Sequence, residues 1–183
     1  MTNKELINNS FEEHEDICVM ASYGTLIEYF SNKEINIEQL LSNYFEKYLF
    51  IITSEFDVKK KHDLIFKNFH RYCEEHNLRG FDYVKRLHEN NELNTRKYCQ
   101  IFESRASLEE IDDNCKESIR NYLTTHEALV MVLYKVTGGN HAIIIGYDSE
   151  DKNYFYKDST NPKYQDGDIL PQKEITEYII FSK

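Results

Sequence analysis

Three residues far apart in the chain carry side chains able to act on one another: Cys18, His141 and Asp158. A thiol becomes a nucleophile as its thiolate, and a neighbouring histidine accepts the proton. A carboxylate on the other ring nitrogen fixes the imidazole tautomer and stabilises the imidazolium. Such a set supports acyl transfer through a thioester. Peptide hydrolysis is the default outcome, and glutamine deamidation or transglutamination uses the same intermediate. Each residue also has a plain structural reading. A histidine and an aspartate at strand ends can pair without chemistry, and a free cysteine is most often a small buried hydrophobe.

The elements that must position these side chains are legible in the chain. HAIIIGYD (141–148) and YFYKD (154–158) are short, rich in β-branched and aromatic residues, and joined by the turn sequence SEDKN. Pairing them across that turn puts His141 and Asp158 opposite each other or one register step apart. His141 then shares a strand face with Ile143 and Ile145, and Asp158 with Tyr156 and Tyr154. Gly138-Gly139 gives a tight approach to the histidine strand. Cys18 heads CVMASYGTLIEYF (18–30), where Val19, Tyr23, Leu26, Ile27 and Phe30 form a stripe at helical spacing that Cys18 does not share. A helix N-terminus favours a thiolate, whereas the acidic stretch FEEHED before it opposes one.

Further helices are expected over 36–50, with Asn36 as cap, over 60–77, and over 107–123, where Ser107 and Glu110 form a capping box. The stretch 78–106 reads as another helix followed by irregular chain. After residue 123 the pattern changes to strands, EALVMVLYKV (127–136), the two of the hairpin, and EITEYIIF (174–181). Helices followed by antiparallel strands make one α+β domain, with a helical lobe over about 1–123 and a sheet lobe over about 124–183. The sheet is expected to pack on the first long helix. Cys73 and Cys115 lie on apolar helical stripes and read as buried thiols, while Cys99 is left open. His70, Cys73 and His76 are spaced three apart, but no CxxC or HExxH pattern accompanies them and no phosphate-binding glycine loop occurs, so neither metal nor cofactor is expected.

Composition narrows the function classes. Hydrophobic residues make up 40% of the 183, with 14 Tyr and 11 Phe, which excludes a disordered chain. A formal charge of −10 argues against nucleic acid or an anionic membrane as partner. No apolar run approaches the roughly 18 residues of a membrane span. The polar, acidic start is unlike a secretory signal, and four cysteines without a disulfide framework read as reduced thiols of a chain made in a cytoplasm.

A cysteine at the head of the first long helix, a histidine opening a later strand and an aspartate closing the next resemble the papain-like cysteine peptidases. The block LVMVLYKVTGGNHAIIIGYDSEDKNYFYKDST (129–160) is similar to the C-terminal half of the bacteriocin leader peptidases. The spacings, 123 residues from Cys18 to His141 and 17 on to Asp158, are similar to those of the YopT/AvrPphB-type effector proteases, and KDSTNPKY resembles the Asp-Pro-Asn turn of that group. The resemblance covers about residues 14–30 and 127–160. It implies a papain-like α+β fold with the site between its lobes, Cys18 as nucleophile, His141 as general base and then acid, and Asp158 as orienter. It also implies a protein or peptide substrate and, on the effector side, delivery into a host cell by a specialised secretion system. Two departures stand out. The families carry a glutamine or asparagine shortly before the cysteine as oxyanion donor, and here His14, four residues before Cys18, is the substitute candidate beside the Cys18 backbone N–H. Ser159, not proline, follows the aspartate. The lack of an amide before Cys18 keeps open a catalytically inactive binding module of the same fold.

Overall fold

The computed structural model describes residues 18–33, 71, 75–78, 81–91, 93–107, 109–161 and 163–183. Among the described residues the α-helices α1 (Cys18–Ser31), α2 (Asp82–Glu89) and α3 (Asp113–Thr125) accompany six strands. The strands are β1 (Gln100–Ala106), β2 (Ala128–Val136), β3 (Gly139–Asp148), β4 (Asn153–Asp158), β5 (Gln165–Asp166) and β6 (Ile175–Ser182). They form one antiparallel sheet in the order β1-β6-β2-β3-β4-β5.

Alternation along β2 builds both sides of this α+β arrangement. Residues 128–134 are all buried, because successive side chains enter two different cores. Leu129, Met131 and Leu133 join Ala142, Ile144, Phe155, Ile179 and Phe181 beneath α1. Val130, Val132 and Tyr134 join Ile143, Ile145, Tyr178 and Ile180 on the α3 side, against Ile119 and Leu123. β2 and β3 close on the two-residue turn Thr137-Gly138, where Gly138 adopts φ +93°.

Helix α1 does pack on the sheet, and it is enclosed more fully than one apolar stripe requires. Met20 through Glu28 are buried, as is Phe30. The sheet covers one side, and Phe81, Tyr83, Val84 and Leu87 from α2 and its approach join the same core. Tyr23 adds a polar tie: its hydroxyl donates to Nδ1 of His88 at 2.9 Å and meets Thr95 Oγ1 at 2.7 Å, while His88 Nε2 donates to the Cys99 carbonyl at 3.1 Å. Burial lowers the His88 pKa, which keeps the ring neutral and able to accept from Tyr23.

Several expectations are corrected. The stretch 78–106 contains the helix α2 followed by turns, as expected, but it ends in the edge strand β1 rather than in irregular chain. Helix α3 starts at Asp113 with Asp112 as its cap, accepting from Cys115 N at 2.7 Å, and not with the Ser107–Glu110 box. The backbone N–H groups of Ser107 and Ile111 are still bound to the Thr176 and Ile175 carbonyls of β6, so the chain cannot wind into a helix there. The helix expected over 36–50 lies outside the described residues, as does most of 60–77. Among the described residues no helix is long and apolar enough to cross a membrane.

Gly146 lies where the α1 face is closely packed. A Cβ there would stand 2.5 Å from Leu129 Cδ2 and run into the Phe155 ring. Gly146→Ala should therefore cost roughly 1–3 kcal/mol, the usual range for overpacking a closed core. A urea midpoint unchanged from wild type would show that the Phe155 ring has room to move.

Candidate functional site

His141 sits in the third position of β3, across from Tyr134 of β2. Asp158 ends β4 and lies directly across from Ile143. The two are thus diagonal on one face, not opposite. The displacement comes from the loop, which closes at the pair Asp148–Asn153 and spans the four residues between them. Asp148 Oδ1 accepts from the Glu150 and Asp151 amides at 2.9 and 3.2 Å, and Lys152 takes φ +52°. A shift of two residues preserves the face, so the side chains still meet. His141 Nε2 donates to Asp158 Oδ1 at 2.8 Å.

Cys18 is the first residue of α1 and is partly buried against the α1 core. Position along the strand is set one turn later, where Ser22 Oγ donates to the Ala142 carbonyl at 3.2 Å. That bond holds the helix beside the residue following His141, and its first turn carries Cys18 to the ring. The Cys18 side chain is close enough to the ring to be among the influences that raise the His141 pKa. With Nε2 committed to Asp158, Nδ1 is the nitrogen left for the sulfur. All three sequence-derived residues are therefore brought together, while His14 lies outside the described residues.

The electrostatics follow from this arrangement. The hydrogen bond to Asp158, then that to Cys18, pushes the His141 pKa up to about 10 against the opposing effect of burial. Burial works to raise the Asp158 pKa, but hydrogen bonds from His141 and from the Thr160 side chain and backbone outweigh it and bring the carboxyl down to about 2. Thr160 donates to Oδ1 through both its hydroxyl, at 2.7 Å, and its N–H, at 2.9 Å. Tyr134 supports the imidazole from the other strand, its ring edge-on at 5.7 Å between centroids and 89° between planes, with Lys173 Nζ 4.4 Å over the tyrosine. An imidazolium flanked by carboxylate and sulfur is the state these contacts favour.

The other described thiols differ. Cys99 is 2% exposed and burial pushes its pKa up to about 12. Cys115 is partly exposed, contrary to the expected burial, and donates to Tyr178 OH at 3.6 Å. Cys73 and His70 lie outside the described residues, so the spaced trio with His76 has no described geometry. Sequence reasoning passed over Ser22, Tyr134 and Thr160. Thr160 had a local signal, since Asp-x-Thr places a hydroxyl and an amide where they can return to the carboxylate. Tyr134 follows from reading Thr137-Gly138 as a two-residue hairpin turn, which pairs it with His141. Ser22 had none, because its partner lies 120 residues away.

Comparison with protein-family models, with curated proteins and with solved structures finds no match for this chain.

Two outcomes follow from the geometry. His141, its pKa raised from 6.5 to about 10, contributes stability that is complete below about pH 6.5 and is lost as pH rises toward 10. Asp158, lowered from 3.8 to about 2, contributes stability present above pH 3.8 and lost as pH falls toward 2. Thermal melts of His141→Ala should accordingly show a smaller loss of Tm between pH 6.5 and 10 than wild type; equal losses would mean that His141 does not carry the alkaline limb. In the native protein, iodoacetamide should modify Cys18 ahead of Cys99 and Cys115, and His141→Ala should slow that reaction near neutral pH on the order of tenfold, because the base that accepts the thiol proton is gone. Peptide mapping that finds the three thiols modified at one rate would remove the case for activation.

Proposed function

We propose that the protein is a cysteine peptidase of papain-like architecture, acting on a protein or peptide by acyl transfer through Cys18, His141 and Asp158. The observation that carries the reading is His141 held between the Cys18 thiol and the Asp158 carboxylate, 2.8 Å from the latter. In this reading His141 takes the thiol proton and the sulfur attacks the substrate carbonyl. The imidazolium then gives its proton to the leaving amine, the C–N bond breaks and a thioester remains. Water, deprotonated by His141, attacks the thioester and releases the acid and the thiol. Asp158 holds the ring so that one nitrogen always faces the sulfur. The Cys18 backbone N–H, at the head of α1, is a natural donor to the oxyanion, with His14 proposed as the second.

A primary carboxamide in place of the peptide bond would release ammonia at the first step, so glutamine deamidation uses the same residues. Transglutamination would follow if an amine replaced water. The resemblance to leader peptidases and to effector proteases points to bacterial precursor peptides and to host proteins as the two substrate pools. Lysates of both kinds, treated with wild type or Cys18→Ala and compared by mass spectrometry, separate these outcomes. New peptide termini dependent on Cys18 are expected; a gain of about 1 Da on glutamine would instead identify amide hydrolysis, the acid replacing the amide. Identical maps for the two proteins in both lysates would favour an inactive binding module.

A further inference from the structure

Lys157, the residue before Asp158, is only 2% exposed. A lysine this deeply enclosed is unusual, since taking an ammonium out of water is costly unless it is bound. It alternates with Asp158 on β4, so its side chain enters the opposite face of the sheet, beside Ile144 and on the same side as Phe155, under α1. There its Nζ donates to the Asn161 carbonyl and lies 3.5 Å from the Asp158 carbonyl. Those two carbonyls are the ends of the turn that follows β4: Asn161 N–H closes it on the Asp158 carbonyl at 3.0 Å. From above, Thr160 binds the Asp158 carboxylate through its amide and hydroxyl. The charged groups facing the ammonium are Asp158, in its own strand and turn, and Glu28 from α1.

We infer that Lys157 is a positioning residue for Asp158: its ammonium, plugged beneath the 158–161 turn, gathers the Asp158 and Asn161 carbonyls and so fixes the angle at which the carboxylate meets His141. The role rests on the proposed Cys18–His141–Asp158 chemistry and acts wholly through Asp158. The turn starts at the last ladder pair with β3, Ile143–Asp158, and its other residues lie beyond that pair, so the β3–β4 ladder alone does not fix it. The lysine supplies from below what the ladder no longer provides. A charge without a positioning role would act differently. Deleting a cation near the site favours the protonated imidazole, whereas releasing the carboxylate removes the bond that favours it most.

The two effects on His141 have opposite signs, and this makes the role measurable. The probe is iodoacetamide, with modification of Cys18 followed by peptide mapping from pH 5 to 10, together with NMR titration of the His141 ring. Lys157→Met keeps the stem and removes the donor. Its Cys18 modification at pH 6 should fall on the order of tenfold, and the His141 midpoint should move down, both in the direction of Asp158→Asn. Lys157→Arg, which restores a charged donor, should recover part of both. A folded Lys157→Met with the wild-type profile, or with the His141 midpoint moved up, would overturn the positioning role. If Lys157→Met does not fold, wild type decides. The Lys157 ammonium nitrogen resonance should shift in step with the His141 titration, and a resonance blind to it overturns the role. His141→Ala separates this from the site itself: if it leaves Cys18 modification unchanged, the proposed chemistry falls and the positioning role with it. If it slows modification while Lys157→Met does not, only the positioning role is lost.

Discussion

Helix α1 is enclosed on nearly every side, and the position of its first residue depends on that enclosure. A helix held by one stripe can slide or roll by fractions of a turn at modest cost. Burying Met20 through Glu28 together removes that freedom, since interiors are close-packed and any shift opens gaps or overlaps. The Ser22 bond to the Ala142 carbonyl then sets the helix against β3. Tyr23, His88 and Thr95 fix its far side through hydrogen bonds that only a neutral imidazole can complete. Cys18 reaches His141 because the rest of the helix has nowhere else to go.

The sheet contributes in a different way. β2 and β3 place Tyr134 across from His141, and β3 and β4 bring Asp158 onto the same face one diagonal step away. A diagonal pair needs a long side chain and a carboxylate aimed toward it, and the strand ladder fixes only the backbone. The aim comes from the 158–161 turn, with Thr160 on the carboxylate. Histidine and aspartate together are only lightly exposed, at 16% and 23% of their side chains, so little water competes for the bond between them. The proposed chemistry draws on that dryness, because an imidazolium beside a carboxylate is worth more where solvent does not screen the pair.

Much of the site was legible in the chain because its signals are local. The strands β2, β3, β4 and β6 were readable from β-branched and aromatic runs, and helix α1 from its helical spacing over 18–30. The face shared by His141 and Asp158 was also readable, since a pleated strand alternates regardless of its partner. The His141–Asp158 pairing holds in the register the hairpin takes, two residues from opposite, because an even displacement keeps both side chains on one face. An odd difference would have placed the two on opposite faces.

What the chain did not disclose depends on partners distant in sequence. The edge strand β1 pairs with β6 some eighty residues later, and nothing within QIFESRA announces it, its exposed pattern being that of an edge. The start of α3 was misplaced because the backbone N–H groups of Ser107 and Ile111 are bound to β6, against a good local capping sequence. Ser22, Tyr134 and Lys157 took their roles from contacts made only once the helix, the sheet and the turn had assembled. Residue order determined which side chains could do chemistry and on which elements they would sit, because propensity and periodicity act over a few residues. Tertiary packing alone decided that the thiol meets the ring and that the carboxylate is aimed at it, because those distances are set by the joint burial of elements more than a hundred residues apart.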